Sequence, residues 1–379
     1  MKKIIILCCL FVMVSHPGGA EAYDLDSLQI HGFISQGYLK SSANNYFSAK
    51  TEDGSMQFNE AGFNIATNVN ERLRVGLQLL ARDFGEYGNN EVELDWAVAD
   101  YRLWNELGIR AGKLKRQMGL YNYSRDIDAA RTSILLPTGI YLENYREAQA
   151  SIQGVGLYGF LPGGFDYQLQ YGTLDIRPDG AGAKMIDNAL NIQTQSMDVD
   201  ESYVVNLEWN SPLDGLKLGG TLYENQWIQH TNIGGIDTSQ SAFIVSTEFV
   251  YNAVTIAAEY SQTDLRMDLG PIVMADVTME NYYGLFSYRL LPWFELGIYY
   301  SESYQNKDDK DGDFYKKLGR PAGLRWLKDF ALTFRFDIDE NWICKLEGHL
   351  IDGLMGVEGN DADMDENWYL FGAKLTYSF

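Results

Sequence analysis

Cysteine is close to absent: the 379 residues include 3, and two of these, Cys8 and Cys9, fall in an apolar stretch at the N-terminus. That excludes a disulfide-stapled scaffold, and an exported chain left with the single thiol of Cys344 has to draw its stability from a sheet or a core. Proline is scarce, at 8 residues, which together with 13% aromatic content excludes collagen-like and disordered chains. Cations are in deficit, with Lys+Arg 30 against Asp+Glu 52 and a net charge of −22. The chain therefore lacks the excess of positive charge that a nucleic-acid binder uses to displace phosphate counterions. Beyond Val14 no apolar run approaches the roughly 20 residues that a helix needs to cross a bilayer. His31, His230 and His349 stand far apart, with no His-Glu-x-x-His, Gly-x-Ser-x-Gly or paired-cysteine spacing. No cofactor is expected, and the sequence reads as a non-enzyme.

What is present begins with an address label. Lys2 and Lys3 precede an apolar run from Ile4 to Val14, and Ala20-Glu21-Ala22 puts small residues where a signal peptidase reads. Residues 1–22 are expected to be a secretory signal peptide cleaved before Tyr23. Losing Lys2, Lys3 and Glu21 with it leaves the mature chain at −23.

Period-two alternation dominates the rest. From Arg72 to Asp83 one face reads Leu73, Val75, Leu77, Leu79, Ala81 and the other Arg72, Arg74, Gly76, Gln78, Leu80, Arg82. Phe165–Gly172, Val254–Ser261 and Phe330–Ile338 alternate in the same way. With the less regular segments, sixteen strands are expected near Leu28–Lys40, Gln57–Asn68, Arg72–Asp83, Val92–Leu103, Leu107–Lys115, Gln149–Phe160, Phe165–Leu174, Ser202–Asn210, Leu216–Ile228, Ser241–Tyr251, Ala253–Thr263, Thr278–Leu290, Phe294–Tyr304, Asp329–Ile338, Trp342–Asp352 and Asn367–Phe379. They hold roughly half of the mature chain, against about 20–25% strand in soluble domains. Connections after the even strands are brief, such as Asn105-Glu106 and Leu291-Pro292-Trp293, whereas those after the odd strands are long and polar.

Short turns on one rim, long loops on the other and an even strand count define an all-β, closed antiparallel transmembrane barrel, with periplasmic turns and extracellular loops. Closure is obligatory, because hydrocarbon offers no partner to an open sheet edge. Trp104, Trp209, Trp293 and Trp342 sit beside short turns, where an interfacial belt is expected. In the last strand Tyr369, Phe371, Ala373, Leu375, Tyr377 and Phe379 face lipid, and Trp368, Leu370, Lys374 and Thr376 face inward.

A terminal Phe379 with Tyr377 and further apolar residues at alternate positions before it resembles the segment that the barrel assembly machinery of the outer membrane reads. Arg110-Ala111-Gly112-Lys113, Gly119-Leu120-Tyr121, Arg125-Asp126, Arg131 and Leu136-Pro137 are similar to the corresponding stretch of Gram-negative outer-membrane porins, although the Pro-Glu-Phe-Gly-Gly run of general porins is missing. The resemblance implies one barrel over residues 23–379, a homotrimer in the outer membrane, and a third long loop, about 116–148, folded into the lumen. The function it implies is a water-filled channel for passive diffusion of small polar solutes and ions. An outer-membrane enzyme or a loop-displaying adhesin, and a secreted soluble β-protein, are the competing readings.

The window Arg72–Arg146 holds eleven basic and ten acidic residues in a chain of −23. Arg72, Arg74 and Arg82 lie opposite the apolar face and so point inward, since a cation at the bilayer midplane costs about 2–4 kcal/mol. Arg74, Arg82 and Arg110 are expected to form a basic ladder facing Asp126 and Asp128 on the inserted loop, with Arg116, Arg125 and Arg131 completing the pore-lining set. Opposed charges across a narrow gap set a transverse field that favours polar solutes. The alternative is that these arginines pair with neighbouring carboxylates and brace the wall. Two acidic runs, Asp308–Asp313 and Asp361–Glu366, read as solvated loops. Asp309, Asp311 and Asp313 are weak candidates for a cation, or for bridging magnesium to lipopolysaccharide phosphates among the outer-membrane lipids.

Overall fold

The computed structural model describes residues 27–47, 50–85, 88–143, 145–358 and 364–379. The expected signal peptide, and Asp361 and Asp363 of the second acidic run, lie outside the described residues.

Sixteen antiparallel strands form the wall: β1 Gln29–Ser41, β2 Phe58–Asn68, β3 Leu73–Phe84, β4 Val92–Trp104, β5 Leu107–Lys115, β6 Ser151–Leu161, β7 Phe165–Thr173, β8 Ser202–Asn210, β9 Leu216–Thr231, β10 Gly234–Tyr251, β11 Val254–Leu269, β12 Ile272–Leu291, β13 Phe294–Tyr304, β14 Trp326–Asp337, β15 Trp342–Gly353 and β16 Asn367–Ser378. Each pairs with its neighbour in sequence, and β1 pairs with β16 from Phe33↔Ser378 to Ser41↔Leu370, so no edge is left open. Gly32 and Phe379 exchange both backbone hydrogen bonds at 3.0 Å and complete the seam.

The sidedness follows the alternation. Every strand exposes a large apolar side chain on its outer surface, among them Ile34, Phe63, Leu79, Leu222, Ile256 and Phe371, while Gln78, Glu259, Lys345 and Lys374 of the opposite parity are buried inside. Trp104, Trp293 and Trp342 are exposed at the short-turn rim, and Trp209 stacks on Phe165 there, its indole N–H donating to the Gly163 carbonyl at 3.0 Å. A soluble sandwich would hide these rings between its sheets. Here they point outward, the arrangement of a barrel that spans lipid.

Four strands are taller than the alternation suggests. The segments between Ile228 and Ser241 and between Thr263 and Thr278, expected as loops, continue as ladders that end in two-residue turns at Asn232-Ile233 and Gly270-Pro271. Above the lipid the outward face meets water while the inward face buries polar residues such as Gln229, Thr231 and Thr238, so the apolar-against-polar pattern fades while the ladder persists. A short strand, Thr194–Val199, adds itself to the free upper flank of β9. At the other extreme, the sixth strand starts at Ser151, two residues late, because Arg146–Ala150 forms one helical turn, α1.

Candidate functional site in the barrel interior

Between β5 and β6 the chain turns inward and crosses the lumen as the inner segment, 116–150, described over residues 116–143 and 145–150. Its departure is prepared at Gly112, whose φ of +127° brings the backbone so close to the Ala97 carbonyl that a Cβ would lie 2.1 Å from that oxygen. Beyond Lys113, β5 parts from β4. Apolar anchors then hold the segment on two sides. Met118, Leu136, Ile140 and Tyr141 pack on Val204, Tyr223, Ile244 and Tyr283 of the wall, and Ile134 and Leu135 join Leu39, Phe84, Ile351, Trp368 and Leu370. Burying each such side chain favours the inserted state by about 1.5–3 kcal/mol.

Polar latches fix its register. On the β3–β5 side, Glu143 accepts from Arg82 at 2.9 Å and from Arg125 at 2.8 Å, Arg146 pairs with Asp95 at 2.9 Å, and Asp126 pairs with Lys115 at 2.7 Å. Gln78 ties the last two pairs together, donating to Asp95 at 3.0 Å and Asp126 at 2.5 Å. Across the lumen Asp128 meets Lys345 at 3.0 Å, Lys374 at 3.5 Å and the Thr376 hydroxyl at 2.9 Å. The Arg335 guanidinium donates to the Ala129 and Arg131 carbonyls at 2.8 and 3.1 Å. Two buried wall carboxylates receive backbone N–H groups of the segment. Glu347 accepts from Ile134 and Leu135 at 2.7 and 2.9 Å, and Glu259 from Leu120 at 2.9 Å, with the Tyr141 hydroxyl as a further donor.

These surroundings set the charge of the segment. Burial by itself would raise the Asp128 carboxyl, but Lys345, Lys374 and Arg131 outweigh it and hold the group well below the usual carboxylate range. The same contest at Glu143 is won by Arg125 and Arg82, and at Asp126 by Lys115 and Arg146. Unfolded carboxylates titrate near pH ~4. A depressed folded value means that the stabilisation is whole above that point and is lost only as pH falls through the lower value. Conductance of the reconstituted barrel is therefore expected to stay level from about pH 8 down to about pH 4 and to change only in stronger acid; a transition centred near pH 6 would assign the latch to other groups.

The expected ladder takes a different form. Arg82 is bound to Glu143, and Arg110 pairs with Asp100 at 2.8 Å while lying 4.0 Å over the Tyr158 ring. Arg74 reaches Gln29 at 3.1 Å near the short-turn mouth, and Arg72 sits in the turn itself, held by the Asn70 side chain through its backbone N–H. None of these four faces Asp126 or Asp128. The cations that do are Lys115 and Arg146 for Asp126, and Lys345, Lys374 and Arg131 for Asp128, the last at 4.0 Å. Arg125 serves Glu143, and Arg116 is buried at the start of the segment. Sequence reasoning passed over Lys345, Glu347 and Lys374 as partners although their inward parity was readable; their distance along the chain hid the pairing. In the first acidic run Asp309 accepts the backbone N–H groups of Asp313 and Phe314 at 2.8 and 3.2 Å, and so caps the short helix α3, Asp313–Lys317. Asp313 pairs with Lys316 at 3.2 Å, and Asp311 is exposed.

Water-reachable charge remains inside the barrel. Towards the short turns Asp100 and Arg110, Lys217 with Glu208 and Glu248, and Arg289 with Asp337 are only partly covered, while Glu295, the second partner of Arg289, is buried. Where β5 leaves β4, a cavity of about 630 Å³ is lined by Arg82, Lys113, Arg146 and Arg177 together with Glu91, Glu93, Asp95, Glu147 and Asp175.

No family model matches the chain, and no curated protein is similar to it in sequence. Solved structures match its fold over nearly the whole length. The trimer form of OmpT, an outer membrane protein of Vibrio cholerae, is similar at a TM-score of 0.59 and 13% identity, covering 93% of this chain and 99% of that one. The anion-selective porin from Comamonas acidovorans gives 0.59 at 14% identity, covering 93% and 99%. The outer membrane channel DcaP of Acinetobacter baumannii gives 0.60 at 13% identity, covering 93% and 97%. The chain thus has the fold of the outer-membrane porins.

Proposed function

We propose that this protein is an outer-membrane diffusion channel for small hydrophilic solutes and ions, with the inner segment 116–150 as its constriction. The observation that carries the reading is the inside-out distribution of polarity: ionised side chains on the inward face stay partly solvated, as with Arg110, Lys217 and Arg289, while the outer surface is apolar. Sixteen strands enclose more space than their own side chains fill. The seating of the segment, packed against β8–β16 and latched by ion pairs to β3–β5, supports a narrow, solute-selective passage. An enzymatic reading gains little from His349, which is buried with Asp329 on one ring nitrogen at 3.0 Å and Glu347 on the other at 3.1 Å, a bracing arrangement within the wall.

A homotrimer fits the same reading, since one of the similar structures is a trimer form. Assembly through the Tyr377 and Phe379 end, and lipopolysaccharide contact at the acidic rim, are parts of the proposal too.

The test is electrical recording of the purified protein in planar bilayers, where stable ohmic steps are expected; persistent silence from folded protein would favour a barrel that only displays its loops. Arg82→Ala should shift ion selectivity towards cations by removing a fixed positive charge from the cavity wall. Arg74→Ala, at the wide mouth, should move it less. Equal effects would return the field to a uniform ladder.

A further inference from the structure

A large cavity lies on the extracellular side of the inner segment, and its chemistry differs from the rest of the lumen. It holds about 720 Å³, within the ~300–1,000 Å³ of small-molecule sites, and is bounded by the tall β9–β12 hairpins, the inner segment and helices α2 (Ala181–Leu190) and α3. Six of the chain's 11 methionines line it: Met118, Met197, Met267, Met274, Met279 and Met355. Tyr223 and Trp227 add aromatic surface. Thioether side chains adapt their shape to an apolar body and favour contact with aromatic rings.

Arg116 stands at this lining without a counter-charge. It is buried; one terminal nitrogen donates to Asn225 Oδ1 at 3.0 Å, the other to the Ala148 carbonyl, and Nε has no acceptor. Among the described residues no carboxylate pairs with it. The carboxylates of the same lining are committed elsewhere: Asp276 to Arg266 at 3.2 Å, Asp313 to Lys316 at 3.2 Å, Asp309 to the α3 backbone, and Glu147 to the N–H groups of Arg177 and Ala181 at 3.4 and 3.3 Å. Burial lowers the Arg116 guanidinium to about 10, opposed only by Tyr223, whose ring centroid lies 5.4 Å away, and not by a carboxylate. A buried charge left unpaired is costly, and an anionic ligand relieves that cost.

We propose that this vestibule binds amphipathic carboxylates, the apolar body lying among the methionines and Trp227 and the carboxylate supplying the counter-charge that Arg116 lacks. The solute class narrows the channel reading above and rests on it only for transport; binding is measurable without it.

The experiment is calorimetric titration of the full barrel in lipid nanodiscs with 3-phenylpropionate, its neutral amide 3-phenylpropionamide, and acetate. Saturable binding of the acid is expected at least about tenfold tighter than of the amide, because a charge-assisted hydrogen bond is lost, with acetate weaker than the acid. Arg116→Gln should bring the acid-to-amide ratio close to one while the amide still binds. Asn225→Asp, which gives Arg116 an internal partner in the same shape, should do likewise and stands in if Arg116→Gln fails to fold. Met279→Gln should weaken acid and amide together. The proposal is overturned by absent binding of the acid, by equal acid and amide affinities in the unaltered protein, or by a ratio that survives both Arg116→Gln and Asn225→Asp. Ohmic steps without binding would remove this inference alone, and binding with silent bilayers would remove the channel alone.

Discussion

Asp128→Ala is expected to cost about 3–5 kcal/mol of stability and to raise single-channel conductance. The magnitude is that of breaking a buried ion pair from one side. Lys345 is completely buried and would keep only backbone carbonyls, those of Asp128 at 2.7 Å, Arg131 at 2.9 Å and Ser133 at 3.2 Å, while Lys374 would keep Glu60 at 2.7 Å. Water drawn in to solvate the uncompensated lysine charge would loosen the 128–133 stretch from β15 and β16 and widen the lumen on that side. Denaturant midpoints in lipid and conductance histograms measure the two effects. Asp128→Asn keeps the shape and an acceptor for Thr376 but not the charge, so it should reproduce most of the stability loss. A loss below about 0.5 kcal/mol, the size of ordinary surface changes, would mean that the apolar anchors alone hold the segment.

The second large effect is expected at Glu143. Glu143→Gln removes the one carboxylate shared by Arg82 and Arg125, each bond being worth about 1.5–3 kcal/mol, and leaves Arg146 close by. The cavity beside β4 then gains net positive charge. Under a salt gradient the reversal potential should move towards the chloride equilibrium value, a several-fold rise in anion preference, and the open-channel current should become noisier as the 143–146 end loosens. An unmoved reversal potential would place the ion path away from this cavity.

Much of the wall was legible because lipid enforces contrast. On β3, Leu77 and Leu79 have to be apolar and Gln78 has to turn inward, and the alternation records that constraint residue by residue. Where lipid ends, the record ends. Gln229–Gln240 and Asp264–Val277 read as loops because polar side chains stand on both faces, solvated outside and buried inside as at Gln229 and Thr238, although the ladders run on to their turns. The interior was legible only in part. That Asp126 and Asp128 meet cations followed from charge; which cations did not, since Lys345 lies 217 positions from Asp128 and Lys374 farther still. The unpaired state of Arg116 is likewise a property of its surroundings.

The seam between β1 and β16 also orders events in time. A chain emerging from its N-terminus holds β1 without a mate on one side, and Asp128 without either lysine, until the final two strands are available. Contacts of such long sequence separation make folding slow. The completed ring and the seated crossing segment therefore arrive together as a late step, and a polypeptide stopped short of Trp342 has neither a continuous wall nor a neutralised centre.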